Sequence, residues 1–385
     1  MININLYVVD KNLINQNTKK YKYTYVFNEG RSERLNSEKS PKDFFYFYSE
    51  LKKNNIKTGF IELQNNNSKN IPLNLFKIFE KIFIRFFQLP FYGHKIISNK
   101  NIKKLLNSEN IIITNETVGY SMYFISKYIK FRNPKVKIVM IVMGLFDNVE
   151  NFSLVKKYFF NRILKVYDKF IFLGNPEYKF ATKFKNNLYP KFFYLPFAID
   201  YNFWKNSDSE KTKKNIIFVG NDLHRDYGLI KNLTTELKEF NFIIVSNKFK
   251  DEQFDENVKY LFSDWRNPLI SDFELRDLFD TACLSLIPTL NTLQPSGQSV
   301  GLQSMSMNIP IIASVSKGFW GDEVLENNKD IVLLKNDAQL WKNEIIELMK
   351  NTQKRENLSI NAYEKLKNNY KYEDLFERFF DILKN

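Results

Sequence analysis

Cysteine is nearly absent: one in 385 residues, Cys283, set inside an apolar run. A single thiol closes no disulfide within one chain, so a reducing, cytoplasmic compartment is expected. Histidine is almost as scarce, and neither His94 nor His224 belongs to a cluster with metal-ligand spacing, so no zinc site of the usual kinds and no metal requirement are expected. There is no Gly-rich Walker sequence and no Gly-x-Ser-x-Gly, which argues against the common ATPase and serine-hydrolase chemistries. Long proline-, glycine- or serine-rich tracts are missing as well, so no large disordered region is expected. The longest apolar stretch, 73–91, is interrupted by Lys77, Glu80, Lys81 and Arg85 and is not a transmembrane helix. Residues 1–10 have no basic start followed by a long apolar core, and read as a first strand and not as a signal peptide.

What is present is material for two packed cores: 44% of the residues are hydrophobic, in a chain longer than one core usually accommodates. Charge is unevenly placed. Residues 1–200 carry 33 Lys and Arg against 15 Asp and Glu, whereas residues 201–385 carry 24 against 28. A one-sided basic half points to an anionic partner, either a membrane surface, a nucleic acid or an acidic substrate. Usage rich in Lys, Asn and Ile along the whole chain accounts for the same excess through genome composition alone. No recognition motif supports nucleic acid, which is not an expected partner.

Along the chain, a polar segment at 11–40 reads as a long loop with a short hairpin near 21–27. A helix at 42–53 and a strand at 58–63 follow, then a helix at 73–88. Strands at 110–115, 137–143, 169–173 and 192–195 alternate with helices. The pattern pauses at 196–200 and the polar run 205–214, and restarts with strands at 215–219 and 242–246. Alternation of this kind predicts an α/β fold of two doubly wound, Rossmann-like halves with parallel sheets. The expected division is residues 1–198, residues 199–365, and a C-terminal amphipathic helix at 366–385 packing back on the first half.

The most informative stretch is a βαβ unit. It comprises a buried strand at 283–288, a polar loop, a helix beginning near Ser299 and a second buried strand at 309–313. Ser296, Gly297, Ser299 and Val300 bring close-approaching backbone and free N–H groups to the helix start, which suits a diphosphate. A second loop, 220–228, lies between strand and helix and carries Asn221, His224 and Arg225. The planar fork of Arg225 fits a leaving group with two negative charges. The plainer alternative is an exposed arginine paired with Asp226. Gln303 is placed to hydrogen-bond ribose, or else occupies a solvated helix position. In the first half, Asn115, Glu116 and Gly144 are ligand-contact candidates by position alone, at strand ends where ligands of open α/β sheets bind. Lys77, Lys81 and Arg85, set among phenylalanines in the helix at 73–88, are a candidate membrane contact; the alternative is a core helix packed on the sheet.

At these residues the chain resembles the family-4 glycosyltransferases, retaining enzymes of the GT-B fold. The resemblance rests on 216–220, on 273–282 before the strand ending at Pro288, on 299–305 and on 309–312. Residues 196–200 with Phe203 look like the family's interdomain segment. The resemblance implies two domains facing each other across a cleft, with a nucleotide-sugar donor in the second domain and a glycan or lipid-linked acceptor in the first. It places Arg225, Ser299 and Val300 at the diphosphate. It also implies two glutamates eight residues apart, where this chain has Pro295 and Gln303, and an arginine where it has Asn221. The glycine-rich loop after the family's first strand has no counterpart here. The rival reading is a non-catalytic nucleotide-sugar- or glycan-binding paralogue that keeps the fold.

Overall fold

The computed structural model describes residues 20–36, 40–64, 71–207, 213–264, 269–319 and 324–384, with the side chains of 71–76 outside that set. The strand expected at 1–10 lies outside the described residues. Two six-stranded sheets organise the rest. The first contains β1 (Tyr21–Phe27), β2 (Thr58–Glu62), β3 (Ser108–Ile113), β4 (Lys137–Val142), β5 (Lys169–Phe172) and β6 (Phe192–Tyr194), in the order β2-β1-β3-β4-β5-β6. The second contains β7 (Asn215–Val219), β8 (Asn241–Val245), β9 (Val258–Leu261), β10 (Ala282–Ile287), β11 (Ile311–Ser314) and β12 (Val332–Leu334), in the order β12-β11-β10-β7-β8-β9.

Every pairing is parallel. Parallel strands are covered by crossover helices on both faces, which is why the central ones read as unbroken apolar runs instead of alternating. β10, Ala-Cys-Leu-Ser-Leu-Ile, is buried at every position. This is the GT-B arrangement, and it puts the carboxyl ends of both sheets, where ligand loops gather, around one cleft.

Two expectations fail near the start of the chain. The hairpin near 21–27 is instead a single inner strand, β1, paired with β2 and β3. Nothing between Tyr21 and Phe27 can make a tight turn, and the run alternates Tyr23, Tyr25 and Phe27 on one face with Thr24 and Val26 on the other, all of them buried. Thr24 tolerates burial because its Oγ1 accepts a hydrogen bond from Ser108 Oγ at 2.7 Å.

The continuous helix expected at 42–53 is broken into a 3₁₀ turn, Asp43–Phe45, and an α-helix, Tyr48–Lys53, by left-handed backbone at Tyr46 (φ 47°) and Phe47 (φ 66°). Packing overrides local preference here. Tyr46 O accepts the Tyr25 hydroxyl at 2.8 Å, and Phe47 sits against Tyr372, Phe376 and Phe379.

Those last three belong to the C-terminal helix Tyr372–Lys384, which lies against the first sheet and gives its Ile382 carbonyl to Lys169 Nζ. The connector between the sheets is pinned by one buried carboxylate. Asp43 accepts the Asp200 N–H at 2.5 Å and the Trp204 indole N–H at 2.7 Å.

Candidate functional site

In the second half the site grows from the carboxyl ends of β7 and β10. Gly220 ends β7, and the chain turns through Asp222 and Arg225 into the helix Tyr227–Glu236, whose N-terminus is capped by Asp226 accepting Leu229 N–H at 2.9 Å. Asp226 Oδ2 also accepts from Asn336 at 2.9 Å, so its carboxylate is committed to the helix and to that loop. The exposed Arg225–Asp226 pair therefore does not form. Arg225 is 4% exposed and its Nε bonds Asp222 Oδ2 at 3.0 Å.

Asp222 is the hub of the loop: its Oδ1 accepts Ser296 Oγ at 2.8 Å and the His224 N–H at 2.9 Å. Burial pushes this carboxyl up, but the Arg225 charge and the hydrogen bonds from Ser296 and His224 outweigh it and hold its pKa below the ordinary value.

After β10, the chain reaches Gly297 in left-handed conformation (φ 85°), the residue before the helix Gln298–Ser306. No side chain caps this helix, so the first-turn N–H groups, including those of Ser299 and Val300, face the loop with the positive dipole end. Arg225 Nη1 is buried and has no partner among the described residues, and it points at this turn through Gly297. A guanidinium N–H, a glycine and a bare helix N-terminus are together the chemistry of a diphosphate cradle. Gln303 is 1% exposed, not solvated, and its Oε1 also lacks a partner among the described residues.

Asn221 has a different task. Its amide bonds Ser263 O at 2.8 Å and accepts Asn247 N–H at 2.6 Å, tying together the ends of β7, β8 and β9. Beside it a small cavity is lined by Val219, Asn221, Val245 and Ser263, and by Arg34 and Asp272. The last two face each other at 3.6 Å, one from each half of the chain.

In the first half, Asn115 Oδ1 caps the helix Glu116–Arg132 by accepting Val118 N–H at 2.9 Å. Glu116 accepts the Met143 N–H, and Glu177 takes Gly144 N–H and Phe146 N–H at 2.8 Å each. Burial pushes Glu116 up to about 7 and Glu177 well above the usual range, the latter helped by the nearby Glu116 charge. These carboxyls hold the loop after β4 in place, with Gly144 at φ 131°.

That loop meets the loop after β10 directly. Leu293 N–H donates to Asp147 at 2.8 Å, a Cβ on Gly144 would lie 2.8 Å from Gln294 Oε1, and one on Gly174 would lie 3.2 Å from Pro295. Pro295 is thus packed on the opposite half. Asp147 and Glu177 carry no signal in the sequence. Asp222 leaves a trace as an acid three residues before Arg225 in a polar loop, and Gln294 opens the polar loop that leads to Ser299. Among the described residues no group of His, Cys, Asp and Glu is placed to hold a metal ion.

Solved structures share this architecture. A glycosyltransferase from Rickettsia africae ESF-5 superposes with a TM-score of 0.60 at 13% identity, over 95% of this chain and 98% of its own. Anabaena Alr3699/HepE, solved in complex with UDP and glucose, gives 0.65 at 13% identity over 95% and 100%. Sucrose-phosphate synthase from Thermosynechococcus elongatus gives 0.64 at 11% identity over 94% and 98%. At such identities the likeness concerns the fold. No family model matches the sequence, and no curated protein does.

Proposed function

We propose that the protein is a glycosyltransferase that moves a sugar, hexosyl in type, from a nucleotide-diphosphate donor to a glycan or lipid-linked acceptor, with retention of configuration. The observation that carries this reading is the partnerless Nη1 of buried Arg225, aimed past Gly297 at an uncapped helix N-terminus. Leaving a charged N–H buried and unpaired is costly, and a diphosphate oxygen removes that cost. The Alr3699/HepE structures with UDP, UDP and glucose, or UDP-glucose support a donor of this class.

In this reading residues 199–365 hold the donor. Ser299 and Val300 N–H groups and Arg225 take the diphosphate, and Ser296 and His224 hold Asp222, which aims Arg225. Gln303 offers its free Oε1 to ribose. As the glycosidic bond breaks, negative charge grows on the diphosphate, and Arg225 with the helix dipole stabilises it more than the ground state. Residues 1–198 present the acceptor at the loops of Asn115, Glu116 and Gly144. The chemistry needs no metal cofactor, and the setting is cell-surface polysaccharide or glycoconjugate synthesis at the cytoplasmic membrane face.

A second reading, a binding protein without turnover, is favoured by Pro295. Proline has no carboxylate to meet the sugar, and here it is packed against Gly174. Screening nucleotide-sugars by thermal shift, hydrolysis and transfer separates the two. Turnover supports the transferase, stabilisation without turnover on any acceptor supports the binding protein, and no response to any nucleotide-sugar rejects both.

A further inference from the structure

The helix Ile71–Phe87 divides the earlier alternatives between its faces. Because an α-helix returns after 3.6 residues, positions four apart form a stripe. Phe79, Phe83 and Phe87 make the inner stripe: Phe83 and Phe87 lie against Phe159, ring centroids at 4.7 and 5.3 Å, and Phe79 and Phe83 meet Phe124. Glu80, the helix's only acid, is also turned inward and bonds His94. Next to the inner stripe, Ile78, Ile82 and Phe86 are 55%, 52% and 73% exposed. Next to that lie Lys77, Lys81 and Arg85.

Phe159 belongs to the neighbouring helix, Leu154–Val166, whose outer side repeats the pattern. Leu154 is 87% exposed, and Val155 and Tyr158 are exposed with it. They stand among Lys156, Lys157, Arg162 and Lys165, with no acid in the helix; the flanking acids are Glu150 in the preceding turn and Asp168 after the helix, the latter paired with Lys130. Exposed apolar side chains singly need no explanation, but two adjacent helices that each present them beside cations do.

We propose that this two-helix face docks the protein on an anionic phospholipid surface. Lysine and arginine are drawn to the negative headgroups while Phe86, Ile82 and Leu154 enter the apolar boundary beneath, as for interfacial amphipathic helices. The helix Leu154–Val166 follows β4 and so begins on the side of the first sheet where β4 ends, which is the cleft side. If the transferase reading holds, docking there brings the acceptor half of the cleft to lipid-linked substrates. Docking itself does not depend on that reading.

The test is sedimentation of the full chain with phosphatidylglycerol-containing vesicles and with pure phosphatidylcholine vesicles, at low and high salt and without any nucleotide-sugar, so that failure here leaves the transferase question untouched. The expected result is binding to the anionic vesicles only, weakened by salt. K77S/K81S/R85S should lower affinity about a hundredfold, the sum of three near-surface charges. I82S/F86S, at exposed positions, should lower it at least tenfold with an unchanged circular dichroism spectrum. Absence of binding to anionic vesicles, equal binding to neutral ones, or wild-type binding by either variant overturns the proposal. So does a dimer in sedimentation velocity that I82S/F86S abolishes, because the face then belongs to a second copy of the chain.

Discussion

A Cβ on Gly297 would lie 2.6 Å from Nη1 of Arg225, so the guanidinium occupies space that every other residue type at 297 would fill. The same Cβ would meet Ile287 at 2.4 Å, and the backbone there has φ 85°. Arg225 and Gly297 are one device: the glycine lets the cation reach the helix start.

Gly297→Ala should therefore cost about 1–3 kcal/mol of stability from backbone strain alone, with further loss from displacement of Arg225. Binding of a nucleoside diphosphate should weaken with it. The control is Gly228→Ala, where the nearest atom to a new Cβ is Asp226 Oδ1 at 3.6 Å and the backbone is helical. That substitution should leave binding unchanged and raise stability by about 0.5–1 kcal/mol. Chemical denaturation and calorimetric titration of both variants read the difference.

Asp222→Asn removes the counter-charge of a buried arginine while keeping the shape. Folding stability should fall by about 1–3 kcal/mol. Because the carboxylate that aims Arg225 is lost, the rise in Tm produced by a fixed donor concentration should be smaller in the variant than in the wild type. An equal or larger rise means that Asp222 does not position Arg225 for the ligand.

A pH dependence follows from Asp43. Burial, with the nearby Asp200 charge, pushes its carboxyl from 3.8 to about 8, against the hydrogen bonds from Asp200 N–H and Trp204. With the folded pKa raised, the folded state holds a proton that the unfolded state releases. The stabilisation is then complete below pH 3.8 and is lost as pH rises toward 8. Asp43→Asn should lack this component. The difference in unfolding free energy, wild type minus variant, should decline from pH 4 to 8; a flat difference contradicts the account.

How far the sequence could be read depended on where the constraint lay. The unit from β10 to β11 was legible because its strands are fully buried and its loop is bounded by apolar runs, and the helix begins at Gln298, one residue from its expected start. β1 was misread as a hairpin because a long polar lead and alternating tyrosines look alike in a hairpin and in an inner strand. The break at Tyr46 and Phe47 is set by Tyr25 and by residues more than 300 positions away, which no local pattern contains. In the site, Arg225 was legible as a residue type in a loop, but its partner was not. Asp226 adjoins it in sequence, yet helix capping claims Asp226, and Asp222 takes the arginine. Asn115 was chosen for its position at a strand end and is a helix cap. Contacts between the halves, such as Leu293 with Asp147, arise only when two domains close on each other.

The central claim is that Arg225 and the Gly297 turn receive a diphosphate. Calorimetric titration of the wild type and Arg225→Ala with UDP, GDP and ADP tests it most directly. The account predicts that at least one nucleoside diphosphate binds the wild type and that the variant binds it more weakly by about 1.5–3 kcal/mol, roughly ten- to 150-fold. Equal affinity in the two proteins, or no binding by the wild type, would contradict it.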